Sequence, residues 1–226
     1  MLTTLAAPAF AGTWYIEDGD ITVKAGETEG TNKVSQGANQ EVEDTDTIIK
    51  NREDTASSNT VTIDAGSDKV EVTLQDVNIK ADSGSALTSK GDVTLTLKGE
   101  NHLTGGNGSG NSSDGSGISS RGSLTITGGE TDSLTAKGGS GEKGGDGIYS
   151  SERVAISGGT VTATGGDSTG SDGSGGYGIY SSGVTISGGS TVTANGGNGS
   201  SGGDGICSSG GVAISGGTVT ATGGDS

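Results

Sequence analysis

The chain has 226 residues, of which 48 are glycine, with only 27% hydrophobic and 3% aromatic, too little apolar material for an ordinary layered globular core. Its formal net charge of −16, from 28 acids against 12 bases, excludes the electrostatic footprint of a nucleic-acid binder or of a protein drawn to anionic lipid. One cysteine, Cys207, and one histidine, His102, leave no internal disulfide, no thiolate zinc site and no Ser-His-Asp or Cys-His set.

Residues 1–11 read as the remnant of a secretion signal. A short apolar stretch, a helix-breaking Pro8 and the small-residue pattern Ala9-Phe10-Ala11 precede Gly12, as at the end of a leader and its cleavage site. The basic head of a leader is missing, so the recorded start is expected to lie inside the true signal. The expected location is extracellular, secreted or attached to the cell surface. No run of 18 apolar residues is present, so no membrane insertion is expected.

Residues 12–60 hold the lone tryptophan in Trp14-Tyr15-Ile16. Between Glu17 and Asp76 there are 15 acids against five bases. This segment is expected to be an N-terminal cap with a long polar excursion, because the open end of a repeat stack needs covering. Residues 61–114 then show less regular alternation: Val61/Ile63, Val70/Val72/Leu74 and Val77/Ile79, followed by Leu87, Val93/Leu95 and Leu103. Those last positions lie 31 residues before Ile118, Leu124/Ile126 and Leu134.

Residues 115–226 are near-identical repeats. A Gly-Ile step recurs at Ile118, Ile148, Ile179 and Ile206, at intervals of 30, 31 and 27 residues. A second run recurs as Leu124/Ile126, Val154/Ile156, Val184/Ile186 and Val212/Ile214, and a third as Leu134/Ala136, Val161/Ala163, Val192/Ala194 and Val219/Ala221. Each unit thus offers three short strands between glycine-rich corners, with alternation fixing an inner and an outer face.

One unit cannot stand alone. Its few large inward side chains gain about 1.5–3 kcal/mol each on burial, whereas ordering its backbone costs about 1–2 kcal/mol per residue. Stacking solves this, since like residues on like share a core and a hydrogen-bond ladder. The expected fold is all-β: a right-handed parallel β-helix (a β-solenoid) with three strands per coil and about 27–31 residues per coil. The sequence stops at Thr222–Ser226, where another coil would begin, so the chain reads as cut within a repeat. A monomer is expected.

Four surfaces are candidates for function. The outward row Ser133/Thr135/Lys137, Thr160/Thr162/Thr164, Thr191/Thr193/Asn195 and Thr218/Thr220/Thr222 has the T-x-T pattern of ice-binding solenoids. Threonine β-propensity and stacked hydroxyls are the plainer account. Tyr149 and Tyr180 share one outward repeat position, with Tyr177 nearby; they are candidates for carbohydrate binding, set against a purely intramolecular aromatic stack. The corner loops carry Asp146, Asp167, Asp172 and Asp204, flexible oxygen donors of the kind calcium takes, set against ordinary turn chemistry. Arg121 and Arg153 are the only candidate bases for a lyase on neighbouring coils, and they fall at non-equivalent repeat positions, so no catalytic residue is assigned and no enzyme is expected.

Three stretches, Asp68-Lys-Val-Glu-Val-Thr-Leu-Gln-Asp-Val-Asn-Ile79, Gly91-Asp-Val-Thr-Leu-Thr-Leu97 and Gly122-Ser-Leu-Thr-Ile-Thr-Gly-Gly129, together with the start Gly12-Thr-Trp-Tyr-Ile-Glu-Asp18, carry a resemblance. The chain resembles secreted clostridial and gut-bacterial carbohydrate-binding β-helix domains. That resemblance implies a pectate-lyase-like fold that binds polysaccharide, plant or host, with calcium and without cleaving it. It covers most of the chain and assigns no individual binding residue. The alternative is an adhesin stalk with no ligand along its shaft.

Overall fold

The architecture follows from the alternation. In the strand Thr160–Thr164, Val161 and Ala163 are fully buried while the three threonines face outward, and a strand this short closes its inner face only against other coils. The computed structural model describes residues 11–107 and 115–226; the expected signal remnant, apart from Ala11, lies outside them. The described residues form an all-β solenoid of stacked parallel coils.

The chain enters through β1 (Thr13–Tyr15), a single 3-10 turn (Ile16–Asp18) and β2 (Ile21–Ala25). An antiparallel hairpin follows, β3 (Asn32–Gln36) and β4 (Asn39–Asp44), and then β5 (Ile48–Lys50). The next coils are β6 (Val61–Gln75) with β7 (Asn78–Lys80), then β8 (Leu87–Lys98) with β9 (Glu100–Thr104). The regular repeats are β10 (Ile118–Arg121), β11 (Leu124–Gly128) and β12 (Ser133–Lys137); β13 (Ile148–Ile156) and β14 (Thr160–Thr164); β15 (Ile179–Ile186) and β16 (Thr191–Asn195). The last coil has β17 (Ile206–Ser208), β18 (Val212–Ile214) and β19 (Thr218–Thr222).

Two sheets run the length of the stack. One passes through β17, β15, β13, β10, β8, β6 and β2, and the other through β19, β16, β14, β12, β9 and β7. The repeat register expected from sequence holds residue for residue: Ile118 pairs with Ile148, Ile148 with Ile179 and Ile179 with Ile206. The inward Val, Ile and Leu of every described coil up to β16 join one continuous core.

Three details differ from the sequence expectation. First, the corner between the first and second strands is often a bend rather than a break. β6, β8, β13 and β15 each run through it, and register shifts mark the bend between Asp64 and Lys69 and between Ser150 and Arg153. At Gly91 the bend takes φ +78°, and a Cβ there would stand 2.8 Å from the Gly66 carbonyl oxygen, so only glycine fits.

Second, Leu103 pairs with Ala136, and it is Asn101 that faces Leu134. The shift is two residues, which keeps the inner face inward. Asn101 is fully buried yet satisfied. Its Oδ1 accepts the Val77 N–H at 3.0 Å and its Nδ2 donates to the carbonyls of Ser133 at 3.1 Å and Lys98 at 3.2 Å. The polar side chain closes the corner where β7 is too short to do so.

Third, the N-terminal segment is a coil in its own right. β2 pairs in parallel with the first half of β6 and β5 with its second half, while Ser57 bridges to Ile79. The polar excursion is the β3–β4 hairpin, inserted at the first corner. Buried Asn32 and Gln36 tie it down: Asn32 donates to Thr47 Oγ1 and the Glu71 carbonyl, and Gln36 to the carbonyls of Tyr15 and Gly19. β1 lies on β5, where Trp14 Nε1 donates to Asp44 Oδ2 at 2.7 Å.

The Asp-rich corners are not loose loops. Their glycines hydrogen-bond from coil to coil, Gly166 N to Gly145 O and Gly197 N to Gly176 O, and across a single corner, Gly176 N to Gly166 O. Most of these glycines are buried, packed backbone against backbone where no side chain fits.

Candidate functional site

Because each coil repeats the register of the last, one outward position makes a column along the solenoid. It reads Thr62, Thr88, Ser119, Tyr149, Tyr180, Cys207. Strand alternation points it outward, since the flanking Leu87, Ile118, Ile148 and Ile179 are buried. The inner side of the same strands carries Ser120, Ser150 and Ser181. Their hydroxyls donate to corner carbonyls, Ser120 and Ser150 to Gly122 and Ser181 to Glu152 and Gly183, which fixes the strand ends that bear the column.

Tyr149 and Tyr180 stack, with ring centroids 5.5 Å apart and planes 2° from parallel. Tyr177 lies against Tyr180 at 5.3 Å, tilted by 32°. The three tyrosines expected to belong together are therefore together, but not as a flat shelf. Tyr180 is flanked by both other rings, whereas the next residue of the column beyond Tyr149 is a serine. The face of Tyr149 on the Ser119 side has no ring against it among the described residues.

Beyond that face runs a shallow groove of about 490 Å³, floored by Thr62, Thr88 and Ser119 and bordered by Asp64, Lys90 and Arg121. Thr62 and Thr88 hydroxyls lie 3.2 Å apart. Lys90 makes a long ion pair with Asp64 at 3.8 Å, and Arg121 stands next to Lys90 in the register. The carbohydrate-binding candidates read from sequence are the tyrosines, and Thr62, Thr88 and Ser119 are not among them. The repeat alignment of Thr88 with Ser119 and Tyr149 was the signal that would have found it.

The four aspartates do not converge. Asp146 is 1% exposed and its Oδ1 accepts the Tyr177 N–H at 2.8 Å. Asp167 is exposed and its Oδ1 accepts the Asn198 N–H at 2.8 Å. In both cases the carboxylate stitches one coil to the next. Asp172 and Asp204 are exposed. No group of three or more His, Cys, Asp or Glu side chains placed to hold a metal ion is found among the described residues.

Electrostatics around the tyrosines are acidic and poorly solvated. Burial pushes the Asp146 carboxyl up to about 7, against the lowering effect of the Tyr177 N–H. Burial also raises the Tyr177 phenol, helped by Cys207, Asp204 and Asp146, and raises the Cys207 thiol, helped by Asp204 and Asp146. Cys207 is thereby kept as a thiol, a poor nucleophile.

Arg121 and Arg153 fall at non-equivalent register positions, as the sequence spacing indicated. Arg121 aligns with Lys90 in the first sheet segment, whereas Arg153 aligns with Gly183 in the second. The threonine row forms as expected, in register from β12 to β19, and continues into Glu100, His102 and Thr104 of β9. His102 is exposed, on that strand rather than in a loop. Among the described residues no helix is long and apolar enough to cross a membrane. No family model, curated protein or solved structure matches this chain.

Proposed function

We propose that this protein is a non-catalytic, extracellular polysaccharide-binding β-helix of a bacterial surface or secreted protein. The observation that carries the proposal is the step in the outward column, where the ring-free side of Tyr149 rises beside the hydroxyl floor of Ser119, Thr88 and Thr62. A pyranose presents an apolar C–H face and a rim of hydroxyls. The first suits a tyrosine ring, and the second suits threonine and serine hydroxyls with Lys90 and Arg121 as donors. The groove runs along the stack, so successive coils would meet successive sugars of one chain. The single His102 lies exposed on the other sheet, away from this groove.

Affinity electrophoresis against pectins, xylans, glucans and mucins tests this. Retardation by at least one polymer is expected, with the affinity falling about tenfold or more in Tyr149→Ala, the loss of a single buried aromatic contact. Unchanged mobility with every polymer overturns the proposal and leaves the stalk, whose support is that the tyrosines also satisfy one another. Release of ultraviolet-absorbing unsaturated sugars in calcium would instead show a lyase.

A further inference from the structure

Asp44 is completely buried, yet it has no basic side chain as a partner. Its Oδ1 accepts the backbone N–H of Gly12 at 2.8 Å and of Asp46 at 3.1 Å, and its Oδ2 accepts Trp14 Nε1 at 2.7 Å. No Lys, Arg or His lies within ion-pair distance of it among the described residues, and residues 1–10 contain none. A carboxylate so placed is held by neutral donors alone, and a cation beside it would add to what those donors supply.

One of these donors is a backbone nitrogen at a cleavage pattern. Gly12 follows Ala9-Phe10-Ala11, the small-x-small pattern after which leader peptidases cut. We propose that Gly12 is the mature N-terminus and that its freed ammonium forms a buried ion pair with Asp44, which locks the cap of the solenoid. Water adds across the Ala11–Gly12 peptide bond in the leader peptidase: hydroxide goes to the Ala11 carbonyl carbon, the C–N bond breaks, and the nitrogen leaves as an amine. The proton of the new carboxyl group passes to that amine, giving a carboxylate and an ammonium.

The surroundings fit such a terminus. Gly12 is buried, and its carbonyl is held by the Ile48 N–H at 3.0 Å. A Cβ on Gly12 would stand 2.5 Å from Asp44 Oδ2 and 2.6 Å from Trp14 Nε1, so the position admits a terminus without a side chain. Leader removal acts on the emerging chain before the fold closes, so the later burial of Gly12 does not oppose it. The partner of the new charge is then in place: the Gly12 amide N–H, one of two on Oδ1, becomes a cation. Asp46, exposed beside it, adds to the negative field. This device is independent of whatever the solenoid binds.

The test uses three forms of the chain: one beginning at Gly12 with a free amine, the same chain acetylated at that amine, and one retaining Ala11. In urea near neutral pH, the free-amine form is expected to have an unfolding constant at least about tenfold smaller than the other two, and Asp44→Asn is expected to erase the difference. Should that variant fail to fold, NMR titration of the Gly12 amine decides: pairing holds it at least about one unit above the ordinary 7.7–8.0 of an α-amine. Equal stability of the three forms, or an ordinary titration, overturns the ion pair. An N-terminus other than Gly12 in the mass of the exported protein overturns the processing site.

Discussion

Asp146 makes the stability of this solenoid depend on pH in the unusual direction. The carboxyl is buried, its Oδ1 accepts a backbone N–H, and burial lifts it from the ordinary 3.8 to about 7. In this window the folded chain binds a proton that the unfolded chain has released. Stability is therefore full below about pH 4, falls as pH rises, and reaches its floor once pH passes about 7. Roughly three units at about 1.36 kcal/mol each give a loss of up to about 4 kcal/mol. Asp146→Asn keeps the volume and the oxygen that accepts the Tyr177 N–H and removes the charge. Urea unfolding of both forms at steps from about pH 4 to about pH 8 isolates the effect, because every other acid cancels in the difference. The variant is expected to gain on the parent steadily across the window and to be the more stable form above it. A difference that stays flat from acid to neutral pH would refute the burial argument.

Two further substitutions probe the framework. Asn101→Leu matches the column residue Leu134 in size but strands the Val77 N–H and the Ser133 and Lys98 carbonyls; a loss of about 2–3 kcal/mol in urea unfolding is expected, although the change makes the repeat more regular. Gly147→Ala places a Cβ 2.5 Å from Thr164 N and 2.7 Å from the Gly178 carbonyl oxygen; because both are backbone atoms of packed coils, a loss of about 1–3 kcal/mol is expected, read from the same unfolding curves.

The coil was legible because its determinants are periodic. Ile118, Ile148, Ile179 and Ile206 announce both the inward face and the register, and neither needs knowledge of distant contacts. The N-terminal coil was harder, since the β3–β4 insertion separates β2 from β5 and hides their common partner β6; the polar residues that anchor it, Asn32 and Gln36, look like surface residues until their backbone partners are known. The exchange of Asn101 for an inward leucine was hidden for the same reason, because hydrophobic periodicity cannot signal a buried polar group that is satisfied by neighbouring coils. In the corners, Asp146 and Asp167 read from sequence as turn residues ahead of calcium donors, and the coil-to-coil hydrogen bond that each accepts from a backbone N–H is not visible in sequence. In the tyrosine group, shared repeat position indicated proximity correctly, but the mutual stacking that leaves only one side of Tyr149 open depends on ring rotamers.

The hairpin at the first corner has a consequence for how copies of the protein behave when crowded. An open parallel coil has the same hydrogen-bonding surface as the growing tip of an amyloid fibril, ready to template the next strand. Here the ladder of the first sheet passes from β2 into antiparallel β3 and then β4, and the last rung carries Glu41 and Glu43 beside the buried Asp44. A second molecule arriving end-on meets the outer strand of a hairpin in place of the first strand of a coil. Elongation at that end is opposed because the hairpin extends only the first-strand ladder while β1 covers β5, so an arriving coil does not meet three matching edges.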